Sequence, residues 1–155
     1  MEDDLKHLED VRRHISNVRE SCGLLGERLI ERGEHKIGIE LIGLGHIHDY
    51  SKIHNQNEFK YLRTKFYGTP EFQCALTSHI TTNPHHPEAW SGIEEMPRVY
   101  LAEMVCDWKS RSSEFGNDLV SWIKDKATHK FQFSKTGSVY KEIKELVGLL
   151  LDRGF

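Results

Sequence analysis

The stretch GLGHIHDYSK, residues 43–52, sets two histidines, an aspartate, a serine and a lysine directly behind an apolar run. Ile37, Leu41, Leu44 and His48 follow helical spacing, so His48 points where the apolar stripe points. A charge buried there without a partner costs several kcal/mol or titrates to neutrality. A divalent cation is one compensation. Three further side chains have the right chemistry: His14 beside the apolar stripe of an upstream helix, Asp49 at the end of this one, and Asp107 beside the stripe of a downstream helix. Two imidazoles and two carboxylates suit a hard or borderline divalent ion. Such an ion polarises a substrate oxygen and acidifies water into a nucleophile. Asp49 is placed to bridge to a second ion or to orient water, and Glu103, on the face of Asp107, reads as a group that orients a ligand.

A second cluster lies in HITTNPHHPE. Pro84 and Pro87 bracket His85 and His86 and stiffen the segment. Adjacent side chains of an extended segment point to opposite sides. One of the two is therefore predicted to face the centre, joining His79 at a second ion or a held phosphate, while the other packs on the loop or meets substrate. His79 and His86 are taken as the ligands and His85 as the substrate contact. His46 and His54 are weaker candidates, and His7, His35 and His129 read as solvated.

The elements that must position these groups are helical. Leu5, Leu8, Val11, Ile15, Val18, Cys22, Leu25 and Leu29 step by three and four, a long amphipathic helix stopped near Gly33. The second helix ends at His48-Asp49. Residues 53–68 predict a short helix between loops. Thr69-Pro70 opens a helix that Asn83-Pro84 ends. Pro97 begins another, closed by Gly116, and residues 118–127 and 139–152 predict two more. No segment alternates as a strand does. The expectation is a single all-α domain over 1–155, with six or seven helices.

Composition bounds the rest. The chain has 155 residues, a net charge of −3, 37% hydrophobic and 29% charged residues. Basic residues do not run in blocks, which argues against an extended nucleic-acid or membrane surface. No apolar run approaches the roughly 20 residues of a membrane span. The acidic start, MEDDLKHLED, is unlike a signal peptide, and Cys22, Cys74 and Cys106 form no CxxC pair, which fits reduced thiols in a cytoplasmic protein. Oligomeric state is left open, a homo-oligomer included.

The order H…HD…D, on separate helices of an all-α chain, resembles the HD-domain superfamily of metal-dependent phosphohydrolases. HDYSK is similar to the HDxxK form of that motif. NPHHPEAWSGI is similar to the HHE-type segment of the cyclic-dinucleotide phosphodiesterase branch, where paired histidines help hold further metal. That branch carries a separate histidine-bearing helix between its HD and HHE segments and a GYP-type element afterwards; this chain departs from it, with only about 30 residues between Asp49 and His79 and SGIEEMP in place of the latter. NPHHPEAW followed by LAEMVCDWKSRSSEFG resembles more closely a family of uncharacterised proteins from bacteria and their phages, over most of residues 10–125.

The superfamily resemblance implies an HD-like bundle holding one or two divalent transition-metal ions (Mn, Fe, Co, Ni or Zn, or else Mg). It implies hydrolysis of a nucleotide or similar small phosphate ester, with Asp49, Lys52 and Glu103 in the catalytic machinery. Lys52, Arg111, Arg13 and His85 would contact the substrate, Arg98 and Lys109 being further candidates; an ordinary solvated face is the alternative for each arginine and lysine. Trp90 and Tyr100 would wall a base pocket or pack the core. Two other functions share the pattern. Di-iron oxygenases of the superfamily run H…HD…H…H…D, which His79 with His85 or His86 would complete, and a nucleotide-binding sensor or phage-type inhibitor would bind without turnover.

Overall fold

In the computed structural model, which describes residues 2–155, every regular element is helical and no strand occurs among the described residues. The long helices are α1 (Glu2–Glu31), α2 (His35–Ile47), α5 (Pro70–Thr82), α6 (Arg98–Phe115) and α9 (Ser138–Leu151). The short ones are α3 (Ser51–His54), α4 (Gln56–Tyr61), α7 (Leu119–Trp122) and α8 (Thr128–Lys130), the last two joined by a π-helical turn over Ile123–Ala127. The all-α expectation is met. None of these helices is long and apolar enough to cross a membrane.

One hydrophobic cluster joins α1, α2, α6 and α9, with Leu25, Leu41, Leu101, Met104, Ile143 and Leu146 fully enclosed. The stripe of α1 differs from its sequence reading. Leu5 is 60% exposed, whereas His14 is buried and Ile15 only half-buried. His14 thus occupies a core position on the helix, in register with Val11, Val18 and Cys22.

Helix α2 folds back antiparallel on α1 at a distance only glycines permit. A Cβ on Gly26 would meet the Gly38 carbonyl oxygen at 2.7 Å, one on Gly38 would strike the Gly26 carbonyl, and one on Gly45 would meet Cys22 Cβ at 2.7 Å. This approach sets His14 of α1 against the C-terminal end of α2. Gly38→Ala must push the backbones apart, at a cost of about 1–3 kcal/mol. Gly43, on the same helix, has open space, so Gly43→Ala instead stabilises by up to about 1 kcal/mol through helix propensity. Thermal melts of the two proteins should therefore move in opposite directions; equal shifts would mean that the helix crossing is not tight.

Caps define the remaining ends. The Asn55 side chain accepts from Asn57 and Glu58 N–H, and Thr69 Oγ1 accepts from Phe72 N–H beside Pro70. Gly116, at φ 69°, closes α6. Arg98 bonds Glu34, Glu142 and Glu145, tying the start of α6 to α2 and α9.

Candidate metal centre

Five segments converge. His14 comes from the middle of α1, Asp107 from α6, and His79 from the last turn of α5. His48 caps α2, and Asp49 after it adopts φ 51°. Left-handed backbone at a non-glycine residue costs about 1–3 kcal/mol and persists only where its surroundings fix it; aspartate is among the residues that tolerate it. Here it reverses the chain from α2 into α3, with the Asp49 carboxylate 1% exposed. His85 and His86 lie in a turn that His86 N–H closes on Asn83 O at 3.0 Å, and Trp90 Nε1 donates to Pro84 O at 2.8 Å.

Around the first point, His14 Nε2 lies 3.1 Å from Asp107 Oδ1 and 3.5 Å from Asp49 Oδ2. His48 Nε2 lies 3.5 Å from Asp49 Oδ2 and 3.9 Å from Asp107 Oδ1. Around the second, Asp49 Oδ1 is 3.3 Å from His79 Nε2 and 3.4 Å from His85 Nε2, and His86 Nε2 is 3.1 Å from His79 Nε2. Asp49, His79, His85 and His86 form one group with the spacing of metal ligands, and His14, His48 and Asp49 form another. Each Asp49 oxygen faces a different group. Two atoms about 2.1 Å from one ion stand about 3.0 Å apart at a right angle and about 3.4 Å apart at the tetrahedral angle, which matches most of these separations.

Among the described residues, the buried side-chain nitrogen and oxygen atoms left without a hydrogen-bond partner are His14 Nε2, His48 Nε2, Asp49 Oδ1, His85 Nε2 and Asp107 Oδ1. Although some stand within 3.5 Å of each other, their directions make them neighbours around a point rather than hydrogen-bonded pairs. Each orphan costs about 1–3 kcal/mol, a heavy burden on a fold whose net stability is typically about 5–15 kcal/mol. All five border one centre. A bound cation fits this donor set and removes the deficit.

A ring of carboxylates holds the imidazoles from behind. Glu114 Oε1 is 2.8 Å from His14 Nδ1, Glu103 Oε1 is 2.9 Å from His48 Nδ1 and 3.4 Å from His85 Nδ1, and Glu58 Oε2 is 3.0 Å from His79 Nδ1. Ser110 and Ser51 hydroxyls donate to Glu114 and Glu58. With each Nδ1–H donating outward, each Nε2 lone pair faces the centre, the carboxylate–histidine–metal arrangement.

Without an ion the same geometry collects protons. Burial alone would lower His14, but Asp107, Asp49 and Glu114 raise it to about 9. Burial likewise opposes His85, which Asp49 and Glu103 raise to about 10. Burial and the neighbouring His85 charge push His86 down to about 3, leaving it a neutral donor. Ligation requires deprotonated His14 and His85, so ion uptake releases protons and weakens as pH falls below about 10, where His85 is the first of the two to take up a proton. Adding Mn²⁺ or Zn²⁺ to chelator-stripped protein in weakly buffered solution at neutral pH should acidify it; uptake without proton release would contradict ligation through these imidazoles.

A cavity of about 520 Å³ opens on the centre, with His79, His86, Asp107 and Lys52 among its walls. Lys52 Nζ pairs with Asp49 Oδ2 at 2.5 Å, and Arg111, also in the wall, pairs with Glu114 at 3.1 Å.

The structure brings His14, His48, Asp49, Asp107, His79 and His86 together, with Lys52, Arg111 and Glu103 beside them. It departs from the sequence reading at the His85-His86 turn and at three of the basic side chains. His85 and His86 both turn their Nε2 atoms to the same group, because the segment is a tight turn rather than extended, so His85 joins His79 and His86 instead of pointing to the opposite side. Arg13 is a surface residue paired with Asp10 and does not line the cavity. Arg98 is committed to the glutamates of α2 and α9, and Lys109 opens on a separate cleft with Asn17 and Glu20. For Trp90 and Tyr100 the structure takes the core-packing alternative: both pack on the core and on each other, and other aromatic side chains line the cavity. Sequence reasoning missed Glu58 and Glu114. The one available signal was that Glu114 lies two helical turns beyond Asp107.

A family model described as a family of unknown function, DUF5662, matches residues 3–152. No curated protein and no solved structure matches the chain.

Proposed function

We propose that this chain, which belongs to the DUF5662 family, is a two-ion, metal-dependent phosphohydrolase acting on a nucleotide or similar small phosphate ester. The observation that carries the reading is the double cluster hinged on Asp49, with a cavity that carries Lys52, Arg111 and Lys130 in its walls opening on it. His14, His48, Asp49 and Asp107 would hold one ion, and Asp49, His79, His85 and His86 the other. The donor set of imidazoles and carboxylates suits Mn, Fe, Co, Ni or Zn, and less so Mg, which favours oxygen ligands. When bound, the ions would polarise the phosphoryl oxygen and lower the pKa of a water.

The chain's own residues do the rest. Were Asp49 to hold metal, Lys52 would be freed from it to turn its ammonium to a phosphoryl oxygen, and Arg111 would reach the same anion from the cavity wall. Glu103 fixes the ring orientation of His48 and His85. The sequence resemblance to HD-domain phosphohydrolases supports the same assignment.

Release of phosphate from a panel of phosphate esters should be abolished by EDTA and restored by Mn²⁺, Co²⁺ or Ni²⁺. Full metal occupancy with no product from a broad panel would overturn the assignment. One observation favours a second reading: His14, His48-Asp49, His79, His85 and Asp107 also complete the order of the di-iron oxygenases. Iron in the isolated protein, with activity lost under strict anaerobiosis, would favour it. The cationic side chains in the cavity weigh for phosphate.

A further inference from the structure

The cavity has a second half that ion binding does not use. Helix α6 contributes Asp107, Arg111 and Phe115 to its wall, each four residues after the last. Helix α5 contributes His79, Leu76 and Phe72, stepping the other way. At 1.5 Å per residue, Phe115 stands about 12 Å along its helix from Asp107, and Phe72 about 10 Å along its own from His79. Two walls thus repeat one order: an ion-facing ligand at the floor and an aromatic ring two turns out, with a guanidinium between them on α6.

More aromatic surface continues these walls. Tyr67 packs edge-on against Phe72 at 4.7 Å, and Phe131 stacks on Trp108 at 5.5 Å with Trp122 edge-on at 5.1 Å. All of these rings line the cavity. Phe115 is 71% exposed and Tyr67 66% exposed, two of the largest apolar exposures among the described residues. Large rings left open at the mouth of a charged cleft fit a flat partner that stacks.

Building on the phosphohydrolase reading, we propose that the cavity takes a nucleoside monophosphate, its phosphate at the ion-facing floor and its base between the Phe72 and Phe115 walls. The ribose then spans the turn occupied by Arg111. The length sets the phosphate number: two helical turns accommodate one phosphate and one ribose, and each further phosphate would carry the base past the exposed rim. Stacking accepts any base, so discrimination among bases should be weak.

The test is calorimetric titration of the metal-loaded protein with non-hydrolysable methylene-phosphonate analogues of adenosine monophosphate, ribose 5-phosphate and ATP, with phosphotyrosine for comparison. The adenosine monophosphate analogue should bind at least about tenfold more tightly than the ribose phosphate analogue and quench tryptophan fluorescence. In Phe115→Ala, an exposed position where truncation spares the core, that preference should shrink towards equality while the ribose phosphate analogue binds as before. Equal binding of the two analogues by the wild type would overturn the base site and leave the phosphohydrolase reading standing. Tighter binding of the ATP analogue would overturn the single-phosphate limit, and tighter binding of phosphotyrosine would overturn the nucleoside. Binding of none of them would overturn both readings together.

Discussion

Asp49→Asn protein should retain neither of the two proposed ions and should lose at least ~100-fold of the proposed phosphate-ester hydrolysis. The expectation follows from the position of one carboxylate. Its Oδ1 faces His79 and His85, and its Oδ2 faces His14 and His48. Burial opposes its charge, yet Lys52 and the surrounding imidazoles hold its pKa well below the usual carboxylate range, so it is an anion at any working pH. Asparagine keeps the shape and removes the charge that both ions share. The loss should exceed the ~10–100-fold typical of groups that only orient ligands. His129→Ala, at an exposed site outside the ligand groups, should keep both ions. Metal analysis of the purified proteins checks the contrast; an Asp49→Asn protein with one ion intact would show that the carboxylate does not bridge.

The second large effect belongs to Glu103, through a pattern across three glutamates. Glu103 stands behind His48 and His85, one imidazole from each group, whereas Glu114 stands behind His14 and Glu58 behind His79. Glu103→Gln should therefore weaken both ions by ~10–100-fold. Glu114→Gln should weaken only the first, and Glu58→Gln only the second. Chelator competition resolves the two affinities. Loss of both ions in all three variants would mean that the glutamates serve general stability instead.

Much of this centre is legible in the sequence because helical period carries it. His48 continues the stripe of α2, and Asp107 falls beside the stripe of α6. Thr69-Pro70 and Gly116 mark helix ends with chemistry that needs no tertiary contact. His14 lies on the buried side of α1 and Ile15 is only half-buried, in a helix packed against α2 at a glycine crossing. That crossing depends on Gly26 meeting Gly38 across two helices, a tertiary fact that no local pattern contains. The His85-His86 turn escapes the local pattern for a similar reason. Proline restricts its neighbours but does not dictate whether His86 N–H closes on Asn83. Glu58 sits on a six-residue helix, too short for periodicity to orient, and Arg98 could not be told from a phosphate grip until three glutamates from two other helices met it.

The metal content of the protein, measured by elemental analysis after loading with Mn²⁺ or Zn²⁺ and removal of free ion, tests the centre most directly. Two ions per chain, falling to none in Asp49→Asn, is the expected result. A wild-type chain that retains no ion under these conditions would contradict a metal centre at His14, His48, Asp49, His79, His85, His86 and Asp107.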